Sequence, residues 1–165
     1  MQFQSAFSRV ASRALMALAV VPLLGACAIS TPFPRLAEAP GAGANDKVVV
    51  VLTHIVVDSS QRSEFDRQTR RVIDSMPNQR GLLGYSARRQ VFGNEAWTMS
   101  VWASDDDRAR FVGSAVHQEA IAKSAPAIVN VQLKRLNLAR KDVPDGWPRV
   151  LELLAQPGDM RTYGQ

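Results

Sequence analysis

The amino-acid sequence predicts an α+β domain in which two helices lie on one face of a four-stranded antiparallel sheet, in the order β-α-β-β-α-β. Three observations predict it. Val48 to Val57 is β-branched and apolar at successive positions, as in a strand covered on both faces. Two stretches with apolar residues at helical spacing follow, each opened by capping side chains and closed by proline. Between them lie two strand-like segments joined at Gly93-Asn94, a hairpin signal.

The first strand begins at Lys47 and stops at Asp58, Ser59 and Ser60, whose oxygens suit a helix N-cap. Phe65, Thr69, Val72, Ile73 and Met76 then recur on one helical face, and Pro77 ends the helix. In the second strand Leu83, Tyr85, Ala87 and Arg89 alternate with Gly84, Ser86 and Arg88. The third, Ala96 to Trp102, is rich in β-formers. Ser104 and the three acids Asp105, Asp106 and Asp107 put a cap and negative charge at the positive end of a second helix, with Phe111, Val112 and Ala115 as its apolar face. Ser114 caps a further turn through Ile121, and Pro126 precedes the fourth strand, Ile128 to Leu138. This is the split βαβ order of the ferredoxin-like fold.

The flanks have other purposes. Arg9 and Arg13 precede a short apolar run, Ala14 to Leu24, that is too short to span a bilayer comfortably. It closes on Leu24-Gly25-Ala26-Cys27, which resembles the lipobox of bacterial lipoproteins. The resemblance implies cleavage after residue 26, a diacylglyceryl thioether on Cys27 and N-acylation there; several chains on one residue anchor stably. Ala28, which is not Asp, implies sorting to the outer membrane, facing the periplasm. Ordinary signal cleavage at the small residues Ala26 and Ala28, or an uncleaved anchor, are the alternatives. Cys27 is the sole cysteine, so no intrachain disulfide is available to an exported domain. The chain then divides into a signal peptide (1–26), a flexible tether rich in Pro and Gly (27–46), the domain (47–140) and a tail (141–165). In the tail, Pro144-Asp145-Gly146-Trp147-Pro148 followed by Val150, Leu151, Leu153 and Leu154 reads as a turn and a short apolar helix that packs back on the domain.

A length of 165 residues suits a single domain. The net charge of +5 comes from arginines scattered among acids rather than gathered in a stripe, which argues against nucleic acid as a partner. Metal binding is not expected, because His54 and His117 are the only histidines and stand far apart, with no other ligand at useful spacing.

The run Gly81-Leu82-Leu83-Gly84-Tyr85, then Trp97-Thr98-Met99-Ser100-Val101-Trp102-Ala103-Ser104, Phe111 and His117, resembles the antibiotic biosynthesis monooxygenase superfamily of dimeric α/β barrels. The resemblance spans Lys47 to about Leu138. It implies a homodimer, because strand one is apolar on both faces and the helices cover only one. It also implies a pocket between sheet and helices, open to a small apolar or aromatic ligand. His117 and His54 are the candidate catalytic groups, a neutral imidazole being a plausible base. Trp97, Trp102, Phe111, Tyr85, Asn130 and Arg89 are the candidate pocket residues. The heme-degrading branch needs a Trp and a heme-ligating His where this sequence has Phe111 and Ile121, so heme chemistry is disfavoured. The activity that the resemblance implies is a cofactor-independent monooxygenase acting on a quinol-like aromatic. The alternative is a non-catalytic ligand-binding or structural envelope lipoprotein.

Overall fold

A computed structural model describes residues 28–34, 36, 43–157 and 160–164. The expected signal peptide and the expected lipidation of Cys27 lie outside the described residues.

The core order holds: β2 (Lys47–Val57), α1 (Arg62–Ser75), β3 (Leu82–Gln90), β4 (Glu95–Trp102), α2 (Asp105–Val112), α3 (Ala115–Ser124) and β5 (Ile128–Ala139). Caps act where the sequence places them. Asp58 accepts from the Ser60 amide, Ser104 from Asp107 and Ser114 from His117. Outside this core order lie the helix of the tail, α4 (Trp147–Ala155), and two strands that the sequence pattern does not predict, β1 (Ala28–Ser30) and β6 (Met160–Gly164). The antiparallel sheet therefore has six strands rather than four, in the order β1-β3-β4-β2-β5-β6. It remains open, so one chain does not close a barrel.

Cross-strand pairs sort the sheet into two faces. Val49, Val51, Ile55 and Val57 share one with Trp102 and pack under α1, α2 and α3, together with Phe65, Val72, Met76 and Phe111. Val48, Val50 and Leu52 share the other with Met99 and Val101. Sequence patterning leaves this second face without a cover and assigns it to another copy of the chain. In the structure α4 of the tail lies on this face, burying Trp147, Val150, Leu153 and Leu154 against Val50, Leu52, Met99 and Val101. At about 1.5–3 kcal/mol per buried large apolar side chain, the four contacts make a substantial lid. Lys134 of β5 fastens it. Its Nζ, on a side chain only 4% exposed, donates to the Leu153 and Gln156 carbonyls, both at 2.8 Å, placing a cation at the negative end of α4.

The segment expected to be a flexible tether also needs correction over its described part. Ala28, Ile29 and Ser30 pair with Gln90, Arg89 and Arg88 on the edge of β3. Thr31 donates its amide to the Ala87 carbonyl at 2.9 Å and accepts from the Ala87 amide on Oγ1 at 2.9 Å. A Cβ on Gly84 would come within 2.2 Å of Pro34 Cβ, so glycine is required there by close approach of the strap. Leu36, 7% exposed, reaches the α4-side core, and Phe33 meets Trp147 edge-on at 5.3 Å. Proline and glycine mark irregular backbone here, but the apolar residues between them bind the strap to the domain.

Two outcomes are expected. Lys134→Met strands two carbonyls and should lower the unfolding free energy by about 1–3 kcal/mol in urea titration. Val150→Asp places an unpaired charge between α4 and the sheet and should lower the thermal midpoint by several degrees, while light scattering at micromolar concentration decides between the expected homodimer and a monomer.

Candidate functional site

The helix-side site is built by two caps and one strand end. Trp102 closes β4, fully buried, and its Nε1 donates to Ser100 Oγ at 3.0 Å. Ser104 starts α2, which carries Phe111 over Trp102 with ring centroids 5.1 Å apart. Ser114 starts α3 and so sets His117 in its first turn, 4.6 Å from the Phe111 ring. The His117 Nδ1 lies 3.2 Å from the Val112 carbonyl, which also accepts from Gln118 Nε2 at 2.6 Å. Burial lowers the His117 pKa below its usual value, and the contact with the Val112 carbonyl opposes this. The imidazole is thus neutral at neutral pH. Its proton belongs on Nδ1, where an acceptor waits, and the lone pair is left on Nε2. Nε2 has no hydrogen-bond partner among the described residues.

A second cluster lies through the sheet, on the α4 side. His54 stacks on Trp97 with parallel rings 5.1 Å apart. Its Nε2 is 2.6 Å from a Glu95 carboxylate oxygen and its Nδ1 is 3.5 Å from Gln132 Oε1. Both nitrogens are therefore occupied. Arg88 lies over Trp97 at 5.4 Å and over Trp147 at 6.0 Å, a cation–π arrangement.

The predicted residues thus divide. Trp102, Phe111, Tyr85 and His117 come together on the helix side. His54 and Trp97 sit on the opposite face, and Asn130 faces the same way by its pairing with Val56. The two histidines cannot share one pocket, because the sheet separates them. Arg89 faces the helix side at the other end of the strands, 3.6 Å from Asp66. There, with Arg62, Phe65 and Ala96, it lines a shallow depression that is open to solvent. The pocket expected between sheet and helices is filled by the aromatic side chains that were to line it: Trp102 is 0% and Phe111 8% exposed.

Sequence reasoning missed Ser100, Glu95 and Gln132. Ser100 was legible, standing two residues before Trp102 and hence on the same face. Gln132 was not, since it meets His54 only through the β2–β5 register. Among the described residues no cluster of three His, Cys, Asp or Glu could hold a metal ion.

Comparison with known proteins agrees with this frame. Residues 48–123 match the family model described as antibiotic biosynthesis monooxygenase. A candidate antibiotic biosynthesis monooxygenase of Caulobacter crescentus is 18% identical, with a TM-score of 0.50 over 56% of this chain and 91% of its own. Rv0793 of Mycobacterium tuberculosis is 17% identical, with a TM-score of 0.51 over 54% of this chain and 92% of its own. PA3566 of Pseudomonas aeruginosa is 14% identical, with a TM-score of 0.52 over 57% and 96%. No curated protein matches. Residues 48–123, a little under half of the chain, are thus similar to the antibiotic biosynthesis monooxygenase family. These distant likenesses show its ferredoxin-like fold and leave chemistry to the site.

The state of His117 has a pH signature. With its pKa lowered by folding, the unfolded chain takes up a proton there first as pH falls. Stability should be full above pH ~6.5 and fall as pH drops through the lower folded-state value. Glu119, held down to about 2 by Arg71 and Lys123, titrates well below that window. Thermal midpoints recorded from about pH 8 to about pH 5 should show the fall in the native chain and a flatter profile in His117→Phe.

Proposed function

We propose that this protein is a lipid-anchored envelope protein whose domain oxygenates a small quinol- or anthrone-like aromatic without a cofactor, with His117 as the general base. One observation carries the reading: a neutral His117, with Nδ1 engaged by the Val112 carbonyl and Nε2 unpaired, beside the Phe111 ring. Removal of an acidic C–H or O–H proton by Nε2 leaves an electron-rich carbanion that reacts with dioxygen. For an anthrone-like methylene, one oxygen atom stays as the new carbonyl and the other leaves as water, so atoms and electrons balance without a further reductant. The protein's part is to hold the ring against Phe111, exclude water and take the proton. Because Phe111 packs on Trp102, the ligand enters by displacing Phe111 from that stack. The anchor rests on the lipobox-like residues at Cys27, and Ala28 favours the outer membrane.

A second reading has its own observation. The closed Trp102–Phe111 stack and the shared carbonyl of Val112 make His117 a bridge between α2 and α3, as a non-catalytic ligand-binding or structural lipoprotein would use it.

Oxygen uptake with a panel of quinols and anthrones separates the two. A base predicts that His117→Ala lowers turnover by roughly 10²–10⁴-fold with little change in thermal midpoint. A bridge predicts lower stability and no oxygen consumption by the native protein on any of them. For the anchor, Cys27→Ser should move the protein from the membrane to the soluble periplasmic fraction; retention with an intact N-terminus would favour an uncleaved anchor.

A further inference from the structure

The strap leaves no slack between the proposed anchor and the domain. Ala28, the residue that directly follows Cys27, is already paired with Gln90. Paired strands lie ~5 Å apart, so Ala28 stands beside the start of the β3–β4 turn, and Cys27 is the residue bonded to it. The pairing continues at Ile29 and Ser30, and the two hydrogen bonds between Thr31 and Ala87 lock the strap beyond them.

That turn presents Phe92, 85% exposed, the most exposed large apolar side chain among the described residues. Ile29 of β1, close by on the same edge of the sheet, is 54% exposed. The turn is braced rather than loose. Arg62 of α1 donates to the carbonyls of Gly93 and Gln90, and the Gln90 side chain bonds Glu95 through both its ends, at 3.2 and 3.3 Å. A lone exposed apolar side chain is ordinary, but here two, Phe92 and Ile29, share the sheet edge at which the chain leads back to Cys27. The neighbouring charges are of both signs, Arg62 and Arg89 against Asp66, so a membrane contact here would rest on the apolar ring rather than on attraction to an anionic headgroup layer.

We propose that the β3–β4 turn is a second membrane contact: with Cys27 acylated, Phe92 enters the same leaflet as the acyl chains. The paired strap then acts as a rigid mount that holds the domain edge-down on the bilayer. The inference rests on the lipid-anchor reading, and the two fail differently.

The test uses the full-length acylated protein in vesicles of phosphatidylethanolamine and phosphatidylcholine. Acylation leaves no free thiol on Cys27, so Phe92→Cys offers one site for a nitroxide label. Asp106→Cys, exposed at the start of α2 beyond the opposite end of β4, is the control. At position 92 the label should be more accessible to dissolved oxygen than to a water-soluble nickel complex, with the order reversed at 106. Equal, water-like accessibility at both positions in vesicle-bound, acylated protein overturns the contact while leaving the anchor intact. An N-terminal peptide whose mass lacks acyl groups overturns the anchor itself, and the proposal with it.

Discussion

The strand β2 is apolar on both faces, and almost every other feature of the molecule answers to the need to keep water off both. Val50 and Leu52 are wholly buried on one side, and Val49 and Val57 nearly so on the other. A central strand of this kind cannot be left half-covered, because the exposed face would be a continuous apolar patch. Helices α1 to α3 cover one side in the order the sequence demands. The other side could be covered by a second copy or by the chain's own tail. The tail reaches it first, being covalently attached and fastened by Lys134 at the C-terminal end of α4.

The same two-sidedness decides what the candidate site can contain. Positions of equal parity on β2 and β4 share a face, so His54 goes with Trp97 and away from Trp102. His54 faces Glu95 and Gln132 with its two nitrogens and stacks on an indole, an arrangement that orients the ring. His117 has the opposite character, with one nitrogen engaged and one open. The helix side pays for its dryness with a lack of empty space, since Trp102 and Phe111 occupy the volume a ligand would need. A site of this kind works only if the Phe111 ring can move.

At the N-terminal end, a short piece of edge strand ties the described start of the chain to the domain. β1 covers three residues of β3 that would otherwise be an open edge, where an unpaired strand invites association. It also converts a stretch with the composition of a spacer into a fixed connection. Gly84 shows how close that connection is, with Pro34 lying where a side chain would be.

The local signals were strong enough to be read directly. The apolar run of β2, the alternation in β3 with Arg88 and Arg89 on opposite faces, and the capping serines 104 and 114 depend on neighbours a few residues away. From these the sequence by itself determined the element order, the fold class and the placing of His117 in the first turn of α3. It also showed that the tail carries a short apolar helix. Tertiary structure alone decided which sheet face that helix covers, that the strap pairs with β3, that His54 meets Gln132, and that the aromatic residues fill their own pocket. Those outcomes depend on strand register and on competition among distant apolar surfaces for the same partners. Neither is encoded in any local pattern, because a covering face is chosen by what else the chain can bring to it.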